Sequence, residues 1–260
     1  MTAPTRAGEI QIRHCHGLDE FQACYELQQR VWGETELDVP LPLFVVAAET
    51  GGQVLGAFDG EKMVGFTLAL TGYREDTLFL HSHMTAVLEA YRDRGIGRRL
   101  KRFQREDAIN RGIGLVEWTF DPLEVKNAYL NLMRLGAIAR RYVPNCYGIT
   151  SSPLHRGMPT DRLVAEWWLE SPRVETLLDG RGIELQTPPS ERAQILVPAG
   201  IPRLRRDAPA EALQVQTELR EQFQKWLGQG FVATGIEIGP EGGRYILEPW
   251  RNFSEGNDEP

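Results

Sequence analysis

The most constraining stretch of this chain lies between Thr77 and Gly112, where a strand-like segment runs into Arg92-Asp93-Arg94-Gly95-Ile96-Gly97 and then into a long basic segment. Thr77 to Val87 reads as a strand. Asp93 to Arg111 is rich in Arg, Leu, Lys, Gln and Glu, strong helix formers, and closes at Gly112, a residue suited to the position just past a helix end. The first four N–H groups of a helix have no partner within it. A glycine turn leading into a helix therefore presents backbone donors at the positive end of the helix dipole, a geometry that binds anions. Arg98, Arg99, Lys101 and Arg102 follow and would put positive charge beside a bound phosphate. The competing reading of that run is a solvated basic face.

The rest of the chain supplies a setting for this unit. Glu9 to Arg13 reads as a short strand and Leu18 to Trp32 as a helix, with Leu18, Phe21, Tyr25, Leu27 and Val31 along one face. Pro40 and Pro42 interrupt the chain beyond that helix. Gln53 to Phe58 and Met63 to Thr71 read as a hairpin about Asp59-Gly60-Glu61-Lys62. Gly114 to Phe120 is strand-like, Leu123 to Leu135 helical up to Gly136, and Ala137 to Val143 a further strand. Alternation of this kind predicts an α/β (α+β) protein, a mixed sheet covered by helices. Beyond Tyr147 the composition shifts, with a strand at Arg162 to Leu169, a helix at Ala208 to Leu227, a hairpin from Phe231 to Leu247 and a disordered tail at Asn252 to Pro260. A boundary near residue 160 separates domains 1–160 and 161–260.

Bulk properties narrow the function. A formal charge of −7 argues against a nucleic acid as the main partner, because phosphate neutralisation needs a basic face. Cys15, Cys24 and Cys146 show none of the paired spacings of metal sites or disulfide frameworks, so no metal is expected and a reducing cytoplasm fits best. The start of the chain has no apolar core of signal-peptide length, and the run Leu43 to Ala48 is far too short to span a bilayer.

Val87-Leu88-Glu89-Ala90-Tyr91-Arg92-Asp93-Arg94-Gly95-Ile96-Gly97-Arg98-Arg99-Leu100 resembles the signature of the GNAT superfamily, the GCN5-related N-acetyltransferases. In element order the resemblance covers about residues 9 to 150. It implies the GNAT fold, a mixed and mostly antiparallel sheet flanked by helices, here with a smaller C-terminal α/β extension. It also implies acetyl-coenzyme A as acyl donor. Backbone groups of Arg94, Gly95, Ile96, Gly97, Arg98 and Arg99, beside Arg92, would hold the coenzyme A pyrophosphate. The splayed end of the strand at Val87 would pair with pantetheine, and Asn127 is a further cofactor candidate by resemblance. The chain is similar to a GNAT branch in which Trp118 to Leu123 is followed by Asn127-Ala128 and Leu135-Gly136, then Tyr142, Asn145, Tyr147 and Gly148.

His81 and His83 lie two residues apart on a predicted strand, so both rings point to one face. They fall where arylalkylamine N-acetyltransferases of the superfamily carry a histidine pair for proton removal. An alkylammonium has a pKa of about 10, so attack on a thioester needs an acceptor such as imidazole, near about 6.5. The alternative is that strand histidines are hydrogen-bonded core residues. Other GNAT enzymes often use a tyrosine four residues before the glycine of Leu-Gly to protonate the departing thiolate. Here that position is Leu132, and Tyr129, Tyr142 and Tyr147 are the substitutes, Tyr129 first. Asn127 and Asn131, four residues apart, would share a helical face. Asp121-Pro122 reads as a structural strand stop and helix start.

The expected activity is transfer of an acetyl or other short acyl group from coenzyme A to a primary amine of a small molecule, by direct attack. Succinyl-coenzyme A as donor or a protein amine as acceptor are alternatives, as is a non-catalytic acyl-coenzyme A sensor. Residues 161–260 could cap the acceptor site or form a homodimer interface. No nucleic-acid or membrane partner is expected.

Overall fold

In the computed structural model, residues 9–33, 38–150, 157–183 and 187–250 are described; Asn252–Pro260, expected from sequence to be a disordered tail, lie outside them. The chain divides into two compact units, Met1–Val116 and Glu117–Pro260, and passes from one to the other within a strand.

The first unit contains β1 (Ile10–His14), α1 (Gly17–Trp32), α2 (Leu41–Glu49), β2 (Gln53–Asp59), β3 (Lys62–Arg74), β4 (Thr77–Val87) and α3 (Ile96–Asn110). The strands lie in the order β1-β2-β3-β4 with every neighbour antiparallel. Alternation along β2 sorts the core into two layers. Val54 and Phe58 pack with Phe21, Cys24 and Leu27 of α1 and Phe44 of α2, whereas Leu55 and Ala57 pack with Ile96 and Leu100 of α3. Helices therefore cover both faces, α1 and α2 one side and α3 the other. The prolines expected to interrupt the chain instead open a helix: Pro40 is the N-cap of α2 and Pro42 lies in its first turn, where no backbone donor is needed.

The second unit takes up β5 (Leu115–Phe120) and continues with α4 (Val125–Tyr129), which widens into a π-helical turn at Leu130–Arg134. Then come β6 (Ile138–Val143), β7 (Arg162–Trp168), α5 (Pro172–Leu178), β8 (Ala193–Pro198), α6 (Ile201–Asp207), α7 (Pro209–Gly228), β9 (Phe231–Gly239) and β10 (Gly242–Pro249). The strand order is β5-β7-β6-β9-β10-β8, and the pairs β6/β7, β6/β9, β9/β10 and β8/β10 are antiparallel. Trp167 is fully buried, meets Trp118 edge-on at 6.0 Å and donates its indole N–H to Leu135 O at 2.7 Å.

The change of composition near residue 160 falls between paired strands. β6, ahead of it, pairs with β7 and β9 behind it. The buried Asp161 accepts from the Asn145 N–H at 2.9 Å, the Tyr142 hydroxyl at 2.7 Å and the Arg220 guanidinium at 2.8 Å. Among the described residues no helix is long and apolar enough to cross a membrane.

Candidate active site

The turn between β4 and α3 is built for an anion. Leu88 N–H, just past β4, donates to Val64 O, a 3₁₀ turn at Glu89–Tyr91 follows, and Gly95 is the N-cap of α3 at φ 74°, ψ 8°. An L side chain pays about 1–2 kcal/mol in that left-handed region, which glycine avoids. The N-cap makes no side-chain hydrogen bond and the first turn of α3 carries no acidic residue that would occupy this helix terminus. Arg99 N–H is the donor that closes the first helical turn, onto Gly95 O at 3.0 Å. A Cβ placed on Gly97 would meet nothing within 4 Å. Open space thus stands before the first turn where a phosphate would approach, and the residues present fit a pyrophosphate.

The basic side chains around the turn divide. Arg98 and Arg102 are exposed. Arg92 Nε donates to Val87 O at 3.3 Å, and the Arg94 guanidinium lies over the Tyr91 ring at 5.0 Å while the Tyr91 hydroxyl donates to Asp59 at 2.9 Å. Arg99 reaches back to β1 and donates to Ile10 O at 2.5 Å. Lys101 turns inward and donates to Ser82 Oγ at 2.8 Å and Gln104 Oε1 at 2.9 Å. Lys101 thus turns toward β4, whereas Arg99 stays exposed with one guanidinium nitrogen tied to β1, so its positive charge remains near the turn.

His81 and His83 are brought together, with ring centroids 6.0 Å apart and planes tilted by 43°. The β3/β4 register explains part of this. Leu68 pairs with Met84 and Ala69 with Ser82, so His83 has no Cα partner on β3 and is the extra residue of a β-bulge. Bulges re-aim side chains and recur next to active sites. Burial pushes the His83 pKa down, so its imidazole stays neutral and able to accept a proton at neutral pH.

In the second unit, Tyr129 is half-buried at the end of α4 with Arg134 over its ring at 5.4 Å. Tyr142 donates its hydroxyl to Asp161 and stacks on Phe223 at 5.5 Å; burial and that carboxylate push its pKa far up, so it is a packing residue. The Tyr147 hydroxyl lies 2.8 Å from Thr119 Oγ1, and burial raises its pKa. Asn127 and Asn131 do not share one environment: Asn127 is exposed and Asn131 is 2% exposed. Asn131 lies in the π-helical turn, and its Nδ2 has no hydrogen-bond partner among the described residues. π-turns and orphaned buried donors are each enriched at functional positions. Asp121 caps its turn by accepting from Leu123 N–H at 2.8 Å and also binds Arg205 at 2.5 Å.

Residues 21–134, from within α1 to the end of the π-helical turn, match the acetyltransferase (GNAT) family model, and the match includes β4, the glycine turn and α3. That stretch belongs to the GNAT family. No curated protein matches the chain in sequence. Among solved structures it is similar to the ribosomal-protein-S18-alanine N-acetyltransferase of Escherichia coli, with TM-score 0.50 and 17% identity over 63% of this chain and 96% of that one. It is also similar to Arabidopsis thaliana NAA60 in complex with a bisubstrate analogue, with TM-score 0.51 and 14% identity over 62% of this chain and 98% of that one. A third is the NatC complex bound to Gag peptide and CoA, with TM-score 0.50 and 12% identity over 61% and 97%. At such identities the likeness carries the GNAT fold, and the family match carries the activity. Residues 21–134 thus match an acetyltransferase domain, of a family that draws its acetyl group from acetyl-coenzyme A.

Sequence reasoning singled out the histidines and the glycine turn but missed Ser82 and the buried amides Gln53 and Gln104. A serine between two histidines and glutamines spaced like ordinary polar residues carry no local signal; only the packing of α3 gives them a role.

Proposed function

We propose that this GNAT protein acetylates a primary amine of a small molecule by direct attack on the thioester, with His81 and His83 taking the proton. The observation that carries the reading is the pair of imidazoles 6.0 Å apart on the bulge of β4, upstream of the turn that opens α3. An imidazole, directly or through a water, removes a proton from the alkylammonium; the freed amine attacks the carbonyl carbon, the C–N bond forms, the new nitrogen cation releases its second proton to the other imidazole or to water, and the C–S bond breaks. The thiolate leaves with the sulfur's electron pair and takes a proton from solvent or from Tyr129. Backbone N–H groups near the end of β4 would polarise the carbonyl. The glycine turn and the start of α3, from Arg94 to Arg99 with Arg92 beside them, would seat the pyrophosphate, with Val87 and Asn127 toward pantetheine. Residues 1–160 form the catalytic part in this reading and 161–260 an extension that caps the acceptor or mediates self-association. The free thiols of Cys15, Cys24 and Cys146 suit a reducing cytoplasm.

The test is thiol release from acetyl-coenzyme A with a panel of small amines and one peptide bearing a free amino terminus. Loss of a general base costs about 10²–10⁴ in rate, so His81→Ala and His83→Ala should fall by that order. Release with the peptide alone would move the acceptor to a protein amine, and unaltered release in both variants would remove the histidines from the reaction.

A further inference from the structure

A polar chain runs beneath β4. Lys101 on α3 donates from Nζ to Ser82 Oγ at 2.8 Å and to Gln104 Oε1 at 2.9 Å. Gln104 Nε2 donates to Gln53 Oε1 at 3.1 Å, and Gln53 Nε2 donates to Asp107 Oδ2 at 2.7 Å. Gln53 and Gln104 are both 0% exposed. Every donor in this chain points the same way, from an amine at one end to a carboxylate at the other, so each bond polarises the next. Asp107 is further fixed by Arg111 at 3.1 Å and His14 at 2.9 Å, and its carboxylate lies below the usual range because those hydrogen bonds outweigh its desolvation. The Lys101 amine is thus held in place, and what it holds in turn is Ser82.

Ser82 is the residue between the two histidines and pairs with Ala69 at the edge of the bulge that leaves His83 without a partner on β3. It is 4% exposed, so its hydroxyl has no access to bulk water in place of Lys101. A bulged strand lacks the ladder bonds that would fix its extra residue. We propose that Lys101 is a positioning residue: through Ser82 it holds the bulge of β4 in the one conformation that sets His83 beside His81. This rests on the reading of the two histidines as proton acceptors. Burial brings the Lys101 pKa down to about 7. The titratable and charged groups joined to it through this chain are Asp107 at the far end, with His14 and Arg111 upon it.

The experiment is an NMR pH titration of the histidine ring signals in the full chain, wild type against Lys101→Met, Ser82→Ala and Ser82→Thr, with near-ultraviolet circular dichroism to establish that each is folded. In the wild type His83 should titrate below 6.5. In Lys101→Met and Ser82→Ala the bulge relaxes, His83 gains water, and its midpoint moves up toward 6.5; Ser82→Thr, which keeps the hydroxyl, stays with the wild type. His83 titrating as in the wild type in a folded Lys101→Met or Ser82→Ala protein would overturn the proposal, and Ser82→Ala decides alone should Lys101→Met not fold. Thiol release by His81→Ala and His83→Ala is measured in parallel. Unchanged release there would refute the proton-acceptor reading by itself, while the titration still decides whether Lys101 positions His83.

Discussion

Gly97→Ala should move stability and cofactor affinity in opposite directions. Gly97 is the second residue of α3 and a Cβ there meets no atom within 4 Å, so the folded protein accommodates a methyl group without strain. Alanine also restricts the unfolded chain, which favours the fold by about 0.5–1 kcal/mol relative to glycine. The methyl group would stand in the open space before the first turn, where a pyrophosphate approaches the N–H groups of Ile96, Gly97 and Arg98. Losing one hydrogen bond to a charged oxygen costs about 1.5–3 kcal/mol, an affinity loss of about ten- to a hundredfold. Denaturant unfolding of the free protein and calorimetric titration with coenzyme A read the two terms separately. Gly95→Ala is the contrasting variant: at φ 74° it should lose about 1–2 kcal/mol of stability. Wild-type affinity in a Gly97→Ala protein would refute the assignment of this turn to the phosphates, whatever its stability.

Arg99→Gln should lower stability through the lost tie to Ile10 O, by about 1–3 kcal/mol, with coenzyme A affinity within a factor of about three by calorimetry. Asp161→Ala strips a buried carboxylate from Arg220, Tyr142 and the Asn145 N–H, and should cost about 1–3 kcal/mol in urea unfolding, since its half-buried partners lose hydrogen bonds to a charged group. His83 has its folded pKa below the ordinary 6.5, so the folded state binds fewer protons than the unfolded one in mild acid. The stability it contributes above 6.5 is lost as pH falls through its lowered value, and His83→Asn should flatten the unfolding free energy against pH in that window; an unchanged slope would show that His83 is not desolvated.

The local grammar of the first unit was legible in the sequence. Thr77–Val87 has the bounds of β4, and Gly95 and Gly97 mark the turn because only glycine combines a left-handed N-cap with an open approach to the backbone. α2 was hidden because Pro40 and Pro42 read as breakers, although proline costs nothing where a helix begins. α5, β8 and α6, each six or seven residues long, carry too few periods to register as patterns and acquire their bounds from packing. Spacing put His81 and His83 on one face, but the bulge that leaves His83 unpaired comes from the register against β3, a long-range property invisible to either strand alone. The basic run after Gly97 shows the same division. Composition sets how many positive charges the helix carries, whereas the position of α3 against β1 and β4 decides that Arg98, Arg99 and Arg102 are exposed, Arg99 with a tie to Ile10 O, while Lys101 turns inward to Ser82. Charge is a property of the residue; the field it exerts at a site depends on which neighbours have already satisfied it.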